Sequence, residues 1–169
     1  LGVNHYLRDH LVAILKIKKT KKTFHSRFDA KKRIYQYVIV NRWSPLTLQK
    51  NKAWHVKRKL NIKSMKKGGK ILEGTHDFST FRASSCNAKS PIKTLDKFSL
   101  KKKKDKLIFN FTSKSFLQNQ VRSMVGCLKY LGEGKWDLED LKKAMKSKKR
   151  SNCAPPAPAF GLYLKKIQY

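Results

Sequence analysis

Few side chains in this sequence have both the type and the spacing to do chemistry, and most that do would hold a polyanion. The eight arginines stand out from a lysine-rich background. A guanidinium recognises phosphate or carboxylate with paired hydrogen bonds, whereas an ammonium neutralises charge diffusely. Arg122 lies in the run Ser115–Leu131, where Leu117, Val121, Met124, Val125, Leu128 and Leu131 form one apolar stripe at helical spacing. By the helical period Arg122 sits roughly 130° off that stripe, directed toward a cleft rather than the core. Gly126, one turn on, is expected to leave space beside it. His25, Arg27, Arg33, Arg82 and Lys114 are further candidates for phosphate contacts, and together they predict an affinity that falls steeply with salt. On the strand Arg33–Asn41, the side chains of Tyr35, Tyr37 and Ile39 share one face.

Other chemistries lack their residues. No Gly-x-Ser-x-Gly turn is present, so a hydrolase triad has no support. His76 and Asp77, close to Gly74, read as a pair that orders a loop, and Phe78 and Phe81 read as core. The three cysteines, Cys86, Cys127 and Cys153, are far apart with no Cys-x-x-Cys pair, so a zinc site is not expected. Cys127 reads as a small apolar residue on a buried helix.

The elements that must position these residues follow from pattern. Leu11–Lys18 and Arg33–Asn41 read as strands, joined through a basic linker at Lys18–Lys22. Helices are expected over Leu48–Leu60 and Ser64–Glu73, the second weakened by Gly68 and Gly69. A loop spans Thr75–Ser90. Two strands, Leu95–Leu100 and Lys106–Thr112, flank a solvated KKKKD hairpin loop. The helix Ser115–Leu131, with Ser115 as N-cap, precedes a second helix, Asp137–Lys148, whose acidic first turn and basic last turn suit the macrodipole. A proline-rich loop, Asn152–Pro158, leads to a closing strand, Gly161–Tyr169. The fold class is α+β: a mixed, largely antiparallel sheet with helices packed on one face.

Composition narrows the partner. Against 41 Lys and Arg stand only 10 Asp and Glu, a formal net charge of +31 on 169 residues. Such self-repulsion destabilises a compact domain, and a polyanionic partner explains it. No apolar run is long enough to span a membrane. No helix-turn-helix, zinc-finger or basic-zipper signature points to DNA.

Four stretches, in order, resemble the TruA family of tRNA pseudouridine synthases: FHSRFDAKKRIYQY (Phe24–Tyr37), EGTHDFSTFRA with AKSPIKTL (Glu73–Leu95), SFLQNQVRSMVGCLKYLGEGKW (Ser115–Trp136) and APPAPAFGLYLKKIQY (Ala154–Tyr169). The middle blocks are most similar to alphaproteobacterial members. The resemblance implies isomerisation of uridine in the tRNA anticodon arm, without cofactor or metal. That reaction uses an Asp nucleophile, a cation that keeps it ionised, and an aromatic wall for the extruded base. Arg122 matches the Arg of the family's FLxNQVR motif, the partner of the catalytic Asp. Tyr35 matches the Tyr of its Arg-x-Tyr pattern, the base contact, and Tyr37 on the same face is either a substitute or core. Arg27 and Arg33 match the family's phosphate-contacting positions best.

The family's Asp belongs to a Gly-Arg-Thr-Asp segment that this sequence does not contain, and none of its ten acids fits the role. The resemblance therefore implies that residues 1–23 are the tail of an N-terminal domain and that 24–169 form the C-terminal RNA-binding domain. The nucleophile is then expected from a segment outside this chain. The alternative is a non-catalytic, synthase-derived RNA-binding protein, for example a component of a mitochondrial or other ribosome. The expected partner is tRNA, or rRNA in the alternative, in a homodimer or a ribonucleoprotein. The expected compartment is the bacterial cytoplasm or the mitochondrial matrix.

Overall fold

The computed structural model describes residues 2–169. In chain order its main elements are α1 (Gly2–Tyr6), β1 (Lys32–Asn41), β2 (Trp54–Val56), α2 (Ile62–Ile71), β3 (Gly74–Asp77), β4 (Ile92–Leu95), β5 (Lys97–Lys103), β6 (Lys106–Ser113), α3 (Gln120–Gly132), α4 (Leu138–Ser147) and β7 (Leu162–Gln168). β1 is the hub of the main sheet. It pairs antiparallel with β6 along one edge, and β6 carries β5. Its other edge is shared, with β7 antiparallel over Lys32–Tyr37 and β2 parallel over Ile39–Asn41. β3 and β4 form a separate antiparallel pair. The class expected from sequence is the class observed: a mixed, mostly antiparallel sheet with helices.

The two faces of the sheet differ for a reason visible in β6. Leu107, Phe109 and Phe111 alternate inward and are buried, meeting Phe98 and Leu100 of β5 and Tyr37 and Ile39 of β1. Between them lie polar residues: Gln36 donates to Asn110 at 3.1 Å, and Asn110 to Ser99 at 3.3 Å. The apolar face is covered by α3, through Val121, Met124, Val125 and Leu128, with Met65 of α2 and Leu141 of α4 completing the core. Gly68 and Gly69 do not weaken α2 as expected; they let it dock. A Cβ on Gly68 would lie 2.2 Å from Leu131 of α3, and one on Gly69 1.9 Å from the Phe98 ring.

Several expected elements differ. Leu11–Lys18 is no strand: the segment has no ladder partner, and Leu11, Leu15 and Ile17 are exposed. An apolar run becomes a strand only where another backbone edge can bond it. The expected helix Leu48–Leu60 is instead a series of turns followed by β2. Asn51 takes a left-handed φ of 60° and Ala53 is buried, after which Trp54–Val56 adds to β1. The loop Thr75–Ser90 begins within β3 and contains a 3₁₀ turn at Ser79–Phe81. The lysines of the KKKKD tract are mostly strand, and only Lys104 and Asp105 turn, with Lys104 at φ 54°.

Candidate RNA-binding and catalytic cleft

α3 begins later than its apolar stripe suggests, and this delay builds the site. Ser115 is not its N-cap. Instead Asn119 precedes the helix with a left-handed φ of 63° and no side-chain cap. The buried Gln120 side chain folds back, its Oε1 accepting the Leu117 N–H at 2.8 Å, while the Gln120 N–H donates to the Leu117 carbonyl at 3.1 Å. This reciprocal pair replaces the missing helical turn. It brings Phe116, Leu117, Gln118 and Asn119 to a cavity of about 320 Å³, which Gln120, Val121 and Arg122 also line.

Arg122 is oriented from two sides. Its Nε donates to the Ala157 carbonyl at 2.7 Å and its Nη1 to Asn119 Oδ1 at 3.2 Å. These bonds use two of the guanidinium's five N–H groups. Arg122 has no acidic partner among the described residues. Gly126 does not leave open space, as its position one turn on suggested. The backbone of the loop fills it: a Cβ there would stand 2.0 Å from the Pro155 carbonyl oxygen. This close approach seats the Asn152–Pro158 loop on α3 and so places Ala157 beside Arg122.

Tyr35 lines the same cavity from β1 and packs edge-on against Phe116, with ring centroids 5.2 Å apart. Tyr37, two residues on, is core. It is fully buried, donates its hydroxyl to the Pro158 carbonyl at 2.7 Å, and touches Gly161. Burial pushes its phenol far above the usual tyrosine range, with the Arg122 charge pulling only part of the way back.

A second cavity, of about 380 Å³, adjoins the first and shares Arg27, Tyr35 and Phe116 with it. Its wall carries four cations: Arg27, Arg33, Lys93 and Lys114. Arg33 clamps the rim, donating to the backbone carbonyls of both Arg27 and Lys114. No Asp or Glu lines either cavity among the described residues. Two predicted contacts lie elsewhere. His25 lines neither cavity; its Nδ1 accepts from the backbone of Arg27 and Phe28, so it shapes the turn that presents Arg27. Arg82 lines neither cavity and donates to the Cys86 carbonyl at 3.3 Å.

Lys93, Phe116 and Gln120 also line these cavities, and neither composition nor periodicity singles them out. Lys93 lies in the quoted AKSPIKTL stretch, and Phe116 and Gln120 in SFLQNQVR, so motif membership was the available signal. The acids have other employment. Asp29 accepts the His25 N–H, Asp105 pairs with Arg42, and Asp137 and Asp140 form the capping box of α4. His76 and Asp77 each order a separate turn, His76 against the Glu73 carbonyl and Asp77 by accepting the Ser79 N–H.

The family described as tRNA pseudouridine synthase matches residues 70–169. Among similar proteins, the tRNA pseudouridine synthase A of Pelagibacter ubique is 56% identical over 168 residues, which cover 99% of this chain and 68% of that protein. The proteins of the same name from Parvibaculum lavamentivorans and Ehrlichia ruminantium (strain Welgevonden) are 44% and 42% identical, each with 99% of this chain and 68% of the relative covered.

Proposed function

This chain belongs to the tRNA pseudouridine synthase family, and on that footing we propose that it is the RNA-gripping part of an enzyme that isomerises uridine in the tRNA anticodon arm. The observation that carries the reading is that Arg122 and Tyr35 line one cavity that, among the described residues, no acid lines. A carboxylate nucleophile in a closed pocket needs a nearby cation to remain ionised. Arg122, held by Ala157 and Asn119 and without an acidic partner among the described residues, meets that need. Tyr35 and Phe116 offer the wall against which a flipped base lies. Arg27, Arg33, Lys93 and Lys114 engage the phosphates next to it.

The Asp is supplied by a segment outside residues 1–169, and residues 1–23 pack with that segment. The exposed apolar side chains of Leu11, Leu15 and Ile17 favour this arrangement. The relatives are bacterial, which favours the bacterial cytoplasm as the working compartment. No helix among the described residues is long and apolar enough to cross a membrane.

The test uses the whole protein that carries this chain, with unmodified tRNA labelled at uridine C5 so that each isomerisation releases the label. Arg122→Ala should lose conversion by about 100-fold or more, the scale expected when a charge-stabilising donor is removed, while retaining tRNA binding. Modification mapping should place the parent's product in the anticodon arm. Parent-like conversion by Arg122→Ala, or a product outside that arm, contradicts the proposal.

A further inference from the structure

Cys127 and Cys153 are far apart in sequence, yet their sulfurs are 3.5 Å from each other. Cys127 is fully buried on α3, while Cys153 follows the 3₁₀ turn Arg150–Asn152 and is partly exposed. We propose that Cys127 and Cys153 are a reversible redox modification site, forming an intramolecular disulfide with a peroxide as oxidant. The proposal stands on these two sulfurs and is independent of the RNA reading above.

The sulfurs already touch and need only close to about 2.05 Å to bond. The movement can come from Cys153, which lies in a loop rather than a helix or strand. The two thiols are inequivalent in the way such a pair requires. The hydrogen bond from Cys127, with help from the nearby Arg150 guanidinium, holds the Cys153 thiol below the usual cysteine range. The same contact, together with burial, pushes Cys127 up. Thiolate character and exposure select the sulfur that reacts first. Cys153 is therefore the attacking thiolate and Cys127 the resolving thiol.

The chemistry balances in two steps. The Cys153 thiolate attacks one peroxide oxygen; the O–O bond breaks, and the departing hydroxide takes up the proton Cys153 had released, giving water and a Cys153 sulfenic acid. The Cys127 sulfur then attacks the Cys153 sulfur; the S–O bond breaks, and the hydroxyl leaves as water with the Cys127 proton. The two thiols lose two electrons, and one peroxide becomes two waters.

The product would staple one end of the loop that seats Arg122. Downstream of Cys153, Pro155 abuts Gly126, Ala157 bonds Arg122, and Pro158 accepts the Tyr37 hydroxyl. Oxidation would thus fix the loop to α3 at one further point.

The experiment treats the full chain with stoichiometric hydrogen peroxide, alkylates the remaining thiols and maps the peptides by mass spectrometry. The expected result is a loss of two hydrogens, a Cys127–Cys153 linked peptide, alkylation at Cys86 alone, and reversal by dithiothreitol. The melting temperature should rise by roughly 5–10 °C on oxidation, as closing a loop of this length in the unfolded chain predicts. In Cys127→Ala, Cys153 should instead stop at the sulfenic acid with one equivalent of peroxide and proceed to the sulfinic acid with a second; Cys153→Ser, a change at the more exposed partner, should show no two-hydrogen loss. Three alkylated thiols after peroxide, a sulfinic Cys153 beside a free Cys127 in the parent, or a disulfide between two chains would each overturn the proposal.

Discussion

Arg122 and Ala157 are bonded in both directions: the Arg122 Nε donates to the Ala157 carbonyl at 2.7 Å, and the Ala157 N–H donates to the Arg122 carbonyl at 3.0 Å. The guanidinium is thereby aimed by the loop that follows the 3₁₀ turn rather than left to sweep through solvent. A lysine keeps the charge but lacks the fork that bonds Ala157 and Asn119 together. Arg122→Lys in the whole protein should therefore reduce the rate of isomerisation by about 100-fold while tRNA affinity changes little. Equal rates for the two proteins, read by label release, would mean that charge alone suffices.

Tyr35 contributes a ring and a hydroxyl, and two substitutions separate them. Tyr35→Phe keeps the edge-on packing against Phe116. It should bind tRNA within about threefold of the parent, whereas Tyr35→Ala should lose about 1–3 kcal/mol of affinity, the worth of one base–aromatic stack. Equilibrium binding at fixed salt checks this, and equal affinity for both variants would argue that no base rests on the ring.

Gly126 should accept no larger residue. The Cβ of an alanine would stand 2.0 Å from the Pro155 carbonyl oxygen, a backbone atom that cannot rotate away. Gly126→Ala should cost about 1–3 kcal/mol in denaturant unfolding. It should also displace the loop that holds Arg122. An unchanged unfolding midpoint would contradict the seating of this loop.

The strand around Tyr35 and the stripe of α3 were legible because each is a strong local pattern: alternation in the first, a 3.6-residue period in the second. The beginning of α3 was not, because Gln120 closes the preceding turn with its side chain, and nothing in the periodicity of Ser115–Leu131 reports a bond to Leu117. The local pattern of Leu48–Leu60 predicts a helix across Trp54–Val56, because the strand character there comes from β1 lying alongside, a contact remote in sequence. The same limit hid the Cys127–Cys153 contact and the filling of the space at Gly126 by Pro155. Of the candidate phosphate contacts, Arg27, Arg33 and Lys114 are brought together, while His25 and Arg82 bond the backbones of residues close by in sequence.

Acid should loosen the fold through its few carboxylates. Glu133 is nearly buried between Lys129 and Lys135, at 2.7 and 3.2 Å. Burial raises its carboxyl pKa, but the hydrogen bonds and charges of the two lysines outweigh burial and hold it below the ordinary range. Glu73, bonded to the Phe98 N–H and to Lys70, is likewise lowered against burial. A depressed folded pKa means that the unfolded chain binds more protons in the intervening window. The stabilisation is thus complete above the unfolded Glu value of about 4.3 and is lost as pH falls through the folded values. Thermal melts from pH 7 to pH 3 should be flat at first and then decline. In Glu133→Gln that decline should be shallower.

The most direct test of the cleft is the salt dependence of tRNA binding by this chain. Arg27→Ala with Lys114→Ala removes two cations from the cavity wall; Lys101→Ala with Lys103→Ala removes two from the exposed β5–β6 hairpin. Each lost phosphate contact should lower the slope of log affinity against log salt by about 0.7–0.9. The cleft pair should therefore reduce the slope by about 1.4–1.8, and the hairpin pair should leave it unchanged. Equal slopes for the two variants would contradict the account, because the RNA would then be held by charge spread over the whole surface rather than at the cavity that Arg122 and Tyr35 share.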